Sequence, residues 1–178
     1  MIQIRDQRFE KFLSNEEIQT CIKELAQKID QDYKNKALVI LGILNGSFLF
    51  VADLVKYLTI DPEISFLKFA SYEGTSSSGQ VHDLIGINEN LADKHLLIVE
   101  DIVDSGTTLA HIMAILQDKK AASIETATLF FKPEAYQQTI PLRYIGKEIP
   151  NLFVVGYGMD YLGKGRSLTE LYQLKKPD

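Results

Sequence analysis

The chain predicts an α/β fold: a mainly parallel central sheet flanked by helices. Three observations carry that expectation. Apolar runs of strand length recur at residues 37–44 (ALVILGIL), 96–99 (LLIV) and 127–131 (ATLFF). Segments with apolar residues at helical spacing lie between them. Turn-forming Asn, Gly and Ser sit where the runs stop. A strand apolar on both faces must be covered on both faces, and parallel strands joined through helices provide that cover. With 178 residues, 46% hydrophobic and 24% charged, the chain suits one domain, 1–178, with a substantial core.

Taken in order, Ser14 with Glu17 three positions later reads as a capping box. Ile18, Cys21, Ile22, Leu25 and Ile29 then predict an amphipathic helix to about Tyr33. Strand 37–44 ends in the turn Asn45-Gly46-Ser47, and Phe48 to Leu58 reads as a helix returning across the sheet. Ile64 to Ala70 is a further extended run. Residues 71–80, SYEGTSSSGQ, have no hydrophobic pattern and predict a mobile loop. Strand 96–100, helix 107–118, strand 124–131 and strand 152–157 complete the alternation, with no internal repeat or linker.

A net charge of −5 argues against nucleic acid or an anionic membrane as partner. The polar stretch from Met1 to Glu10 predicts no secretory leader, and no apolar run is long enough to span a bilayer. A cytoplasmic location follows as the default. Cys21 is the single cysteine, which excludes an internal disulfide or a metal–thiolate cluster; it reads as a buried structural thiol. His82, His95 and His111 lack ligand spacing and read as surface or satisfied side chains.

Chemistry concentrates in residues 96–109, LLIVEDIVDSGTTL. The apolar run meets Glu100 and Asp101, then Asp104, then Ser105, Gly106, Thr107 and Thr108 at the start of a helical pattern. Acidic capping residues at a strand end would explain part of this. The density of three carboxylates and four small or hydroxyl residues in nine positions favours a ligand site. A helix N-terminus and a glycine-containing turn offer backbone N–H groups to a phosphate. Acids beside a phosphate need a purpose: they can accept hydrogen bonds from sugar hydroxyls, or share Mg²⁺ with phosphate oxygens. Both point to a phosphorylated sugar.

In a parallel sheet, ligands sit beyond the carboxyl ends of the strands. Strand 37–44 delivers Asn45-Gly46-Ser47, strand 96–100 the acidic turn, strand 124–131 Lys132, and strand 152–157 leads to Asp160, with loop 71–80 at the same edge. Taken singly, Asn45-Gly46-Ser47 reads equally as an ordinary turn, Lys132 as a surface charge and Phe153 as core.

The string VEDIVDSGTT resembles, residue by residue, the phosphoribosyl pyrophosphate (PRPP) signature of type I phosphoribosyltransferases. LFFKPE resembles the segment whose lysine grips the 6-oxo group of a purine, and FVVGYGMDY followed by Arg166 resembles the base-binding hood of hypoxanthine-guanine phosphoribosyltransferases. The likeness covers about Leu38 to Leu171. It implies the type I phosphoribosyltransferase fold with a small hood formed by the N-terminal segment and about 133–178.

The resemblance also implies roles. Glu100 and Asp101 would hold the ribose 2′ and 3′ hydroxyls and Mg²⁺. The turn Asp104 to Thr108, with Ser105, Gly106 and Thr107, would hold the 5′-phosphate, and Asp104 would be the general base toward purine N7. Asn45 and Gly46 would face pyrophosphate with Arg166. The family usually has a basic residue where Asn45 stands, so side-chain charge is lost there, and a cis Leu44–Asn45 bond is expected. Lys132, Phe153 and Val154 would bind the purine, and Asp160, beside it, would hold a second Mg²⁺. Ser71 and Tyr72 would open a catalytic lid. The implied reaction moves 5-phosphoribosyl from PRPP to N9 of hypoxanthine, and of guanine, in a homodimer or homotetramer. The alternatives are a xanthine-preferring or other-base enzyme, and a PRPP-sensing regulatory protein.

Overall fold

The computed structural model describes residues 1–69, 83–85 and 90–175. Strands β1 (Ile2–Ile4) and β2 (Gln7–Leu13) precede helix α1 (Asn15–Tyr33). Then come β3 (Leu38–Leu44), α2 (Phe48–Tyr57), β4 (Glu63–Phe69) and β5 (Asp83–Ile85). The chain continues through β6 (His95–Val103), α3 (Thr107–Leu116), β7 (Ser123–Phe131), β8 (Tyr144–Glu148), β9 (Val154–Val155) and β10 (Leu171–Leu174). Ser14 caps α1 as its sequence predicts: its Oγ accepts the Glu17 N–H at 3.3 Å, and the Glu17 carboxylate accepts the Ser14 N–H at 2.9 Å.

The larger sheet has the order β5-β4-β3-β6-β7-β8, parallel from β4 to β8 with β5 antiparallel at the edge. The chain winds outward in one direction from β3 and in the other from β6. The switch point, where a crevice opens at the strand ends, therefore lies between these two. Side chains alternate between faces along a strand. In β3, Leu38 and Ile40 pack under α1 and α2, while Val39, Leu41 and Ile43 pack under α3. This two-sided cover is why the run is apolar without alternation.

β1, β2, β10 and β9 form a second, antiparallel sheet with its own small core of Ile4, Phe9, Val155 and Tyr172. Its N-terminal strands carry no strong sequence signal, since QRFEKFL is half charged or polar. The strand expected at 152–157 is corrected here. Only Val154–Val155 pair, and they pair in this second sheet rather than extending the parallel one. Gly156, Tyr157 and Gly158 take φ of 104°, 47° and 99°, which no strand continues through. The parallel edge is filled instead by β8, whose sequence YIGKE is short and holds a glycine. Strand β6 also runs past residue 100 to Val103, so the acidic pair belongs to the strand and not to the turn. Helix α3 stops at Leu116, and Gln117–Lys119 form a 3-10 turn. Cys21 packs against the main core only half-buried. Ser71, Tyr72 and the 71–80 loop lie outside the described residues. Among the described residues no helix is long and apolar enough to cross a membrane.

Candidate active site

The switch point gathers the predicted groups. The Leu44–Asn45 peptide is cis, as the resemblance implies. Ser47 is buried, and its Oγ donates to the Ile43 carbonyl at 2.7 Å, which turns the chain into α2. Gly46 lies directly against the Asp101 carboxylate, and its own carbonyl lies against Gly158. No Cβ fits at either glycine, so the turn after β3, the acid of β6 and the loop after β9 close on one another.

Glu100 and Asp101 are 6% and 9% exposed. Continuing the alternation of β6, where Leu96 and Ile98 face α3 and Leu97 and Val99 face α1 and α2, Glu100 points toward α3 and Asp101 toward α2. Burial, and then the charge of Asp101, push the Glu100 carboxyl well above its usual range. Burial likewise raises Asp101 to about 6, outweighing the backbone N–H groups and the Arg166 charge that favour its ionised form. Among the described residues neither acid forms an ion pair.

The turn after β6 is built for an anion. Gly106 takes φ 80°, and a Cβ there would meet the Tyr136 ring at 2.5 Å. The helix ladder begins only at Ala110, whose N–H donates to the Gly106 carbonyl at 2.9 Å, so the first-turn N–H groups keep no intrahelical partner. Ser105 and Thr107 hydroxyls stand 3.0 Å apart beside them, and Thr107 and Thr108 are exposed. The segment after Lys132 braces this turn: the Gln137 N–H donates to the Ser105 carbonyl at 3.2 Å, and Tyr136 donates to the Ile140 carbonyl at 2.6 Å. Sequence reading missed Tyr136; nothing in its local pattern distinguishes a brace from a surface tyrosine.

Lys132 and Asp104 form an ion pair at 2.7 Å, the lysine side chain 8% exposed and the aspartate 51%. Phe153 is half-exposed, with Tyr161 edge-on at 5.8 Å. Asp160 pairs with Arg166 at 2.6 Å and accepts the Gly163 N–H at 2.7 Å, while Arg166 Nη1 donates to the Gly158 carbonyl at 2.7 Å. Asn45, Gly46, Asp101, Asp104, Lys132, Phe153, Val154, Asp160 and Arg166 line one cavity, joined by Ile102 and Met159. Glu100 and the 104–108 turn line a second, adjoining cavity with His111, and Gly46, Asp101 and Asp104 border both. Met159 escaped the sequence reading, and His111, read there as a surface or satisfied side chain, is partly buried at a cavity wall, because a lining role depends on neighbours distant in the chain.

One cavity offers a phosphate turn and buried acids. The other sets a donor beside an acceptor and includes a half-exposed aromatic ring in its wall. Comparison with known proteins gives the family. Residues 9–162 match the model of the phosphoribosyl transferase domain. A hypoxanthine-guanine phosphoribosyltransferase of Staphylococcus epidermidis is 44% identical over 164 residues, 92% of each chain. The crystal structure of a hypoxanthine phosphoribosyltransferase from Staphylococcus aureus superposes with a TM-score of 0.88 at 41% identity, covering 96% of this chain and 92% of that one. A hypoxanthine-guanine phosphoribosyltransferase from Bacillus anthracis gives 0.87 at 34% identity, covering 96% and 99%. The chain belongs to the phosphoribosyltransferase family, among its hypoxanthine-guanine members.

Proposed function

We propose that this chain transfers 5-phosphoribosyl from PRPP to N9 of hypoxanthine, and of guanine, giving IMP or GMP and pyrophosphate in purine salvage. The observation that carries the choice of base is the Lys132–Asp104 pair at 2.7 Å. A 6-oxopurine presents an acceptor, O6, next to a donor, N7–H, along one edge. An ammonium beside a carboxylate is the complement of that edge. Adenine would turn its 6-amino group toward the ammonium and leave both without a partner.

In this reading Lys132 donates to O6, Asp104 receives the N7 proton as N9 attacks ribose C1, Phe153 stacks on the ring, and Val154 supplies backbone groups to the N1–C2 edge. The 5′-phosphate rests on the first-turn N–H groups and on the hydroxyls of Ser105, Thr107 and Thr108. Glu100 and Asp101 accept from ribose hydroxyls. Arg166 and the turn at Asn45-Gly46 stabilise the negative charge that grows on the leaving pyrophosphate.

The residues present also fit a divalent cation. Two buried carboxylates with raised proton affinity and no cationic partner among the described residues are hard oxygen donors that favour one. At such a site Mg²⁺ would complete its shell with water and substrate oxygens. Glu100 and Asp101 would hold it, with Asp160 serving a second ion. When bound, Mg²⁺ neutralises charge on the pyrophosphate. A homodimer or homotetramer in the cytoplasm completes the reading.

Mixing the protein with PRPP, Mg²⁺ and each base tests it. Pyrophosphate should appear with hypoxanthine and guanine, and far more slowly with adenine. No release with either oxopurine, or equal release with adenine, overturns the proposal.

A further inference from the structure

Tyr157 is a bulky residue at φ 47° between two glycines that also have positive φ, a backbone state that large side chains rarely adopt. Its side chain is buried, at 2% exposure, and points away from both cavities. The hydroxyl donates to Asp53 Oδ2 of α2 at 2.5 Å and accepts from Gln19 Nε2 of α1 at 3.1 Å. Gln19 also donates to Asp53 at 2.7 Å and accepts from the Tyr57 hydroxyl at 3.0 Å, and Lys56 pairs with Asp53 at 2.8 Å. One loop residue is thus bonded into both helices that cover this face of the sheet.

The next residue in the chain gives this anchoring a purpose. Gly158 lies against the Gly46 carbonyl of the turn after β3. The Gly158 N–H donates to the Arg166 carbonyl at 2.9 Å, and its own carbonyl receives the Arg166 guanidinium at 2.7 Å. The position of Gly158 therefore sets both the packing of the pyrophosphate turn and the aim of Arg166. Lys132, by contrast, is held by its own strand end, where its N–H donates to the Val103 carbonyl at 3.0 Å.

We propose that Tyr157 is a positioning residue for the pyrophosphate half of the reaction: its bond to Asp53 locks Gly158 against Gly46 and so orients Arg166. This rests on the function proposed above. Removing the hydroxyl while keeping the ring frees the lock and leaves the Lys132–Asp104 pair untouched.

Tyr157→Phe should raise KM for PRPP, and weaken inorganic pyrophosphate binding by calorimetry, roughly tenfold, the scale of one hydrogen bond to a charged group. KM for hypoxanthine should rise less than KM for PRPP, because O6 and N7 are read by Lys132 and Asp104 at the ends of β7 and β6, away from this loop. Asp53→Ala should reproduce this split, the double variant should add little to either, and Asp53→Asn, which keeps an acceptor, should restore most of the loss. Equal rises in both KM values, or a drop in thermal stability with both constants unchanged, would overturn the positioning role while wild-type turnover still upheld the function. Wild-type protein that neither turned over nor bound pyrophosphate would sink the function and this inference with it.

Discussion

The end of β6 at residues 100–108 and the loop at 153–166 border the same cavity in opposite electrostatic condition. In the first, two carboxylates are buried without an ion pair among the described residues, and burial opposes their charge. In the second, Asp160 and Arg166 satisfy each other at about 30% exposure, with Gly158 and Gly163 supplying the remaining partners. The difference separates two ways of preparing a site. The strand end holds carboxylates unmatched among the described residues, which a cation or sugar hydroxyls would relieve. The loop is self-satisfied and must exchange internal partners for substrate oxygens. Asp104, in the first region, shares the second condition, already paired with Lys132 in the free protein.

The largest test falls on that pair. Asp104→Asn keeps the size of the side chain and can still accept one hydrogen bond, but it cannot take a proton. Turnover should fall by ~10²–10⁴, the range of a general base, with PRPP affinity nearly unchanged. Turnover within a few-fold of wild type would remove the proton-acceptor role. Lys132→Ala should rank next: purine affinity drops roughly thirtyfold or more, as expected when a buried charged donor is lost. PRPP affinity should move far less, and equal losses measured by calorimetry would show that Lys132 does not read the base.

A test of the unmatched acids concerns stability rather than rate. Asp101 rises from 3.8 to about 6 on folding, so between these values the native state holds a proton that the unfolded chain has released. Stability in the absence of divalent cations should therefore be full below that window and fall as pH rises through it, by on the order of 3 kcal/mol if the shift acts alone. Asp101→Asn should remove the Asp101 share of this slope, leaving that of the buried Glu100, and unfold later in urea at pH 7, while losing activity. Added Mg²⁺ should stabilise wild-type protein above pH 6 and the variant much less. A flat wild-type profile from pH 4 to 7 would mean that the acid is not poised as its burial requires.

Part of this contrast is legible in the sequence itself. The run VEDIVDSGTT predicts a strand, an acidic site and a helix start because each depends on local chemistry, and β6, Gly106 and α3 stand where that chemistry requires. The resemblance carried the cis bond before Asn45 and the grouping of Lys132, Phe153, Asp160 and Arg166. Other features were hidden because they are relations between distant segments. Burial of Glu100 and Asp101 depends on neighbouring strands, the Lys132–Asp104 contact on adjacent strand ends, and the brace of Tyr136 on the fold of 133–140. The error at 152–157 has the same origin. Val154 and Val155 look like a buried strand, but a β-run says nothing about which sheet it joins, and the three positive φ values after it follow from packing against Gly46 and Glu170.

The smallest effect expected returns to the self-satisfied loop. Asp160→Ala deletes a partly exposed ion pair and one hydrogen bond from the Gly163 N–H. Exposed pairs contribute little because water screens them and side-chain entropy opposes them, so the loss in unfolding free energy should be about 1 kcal/mol or less. Arg166 keeps its bond to the Gly158 carbonyl and loses a competitor for anions. Pyrophosphate binding measured without Mg²⁺ should therefore hold steady or tighten slightly. A stability loss of several kcal/mol, or weaker metal-free pyrophosphate binding, would mean that Asp160 and Arg166 act as a structural unit. The contrast between an unmatched strand end and an exchangeable loop would then fail on the loop side.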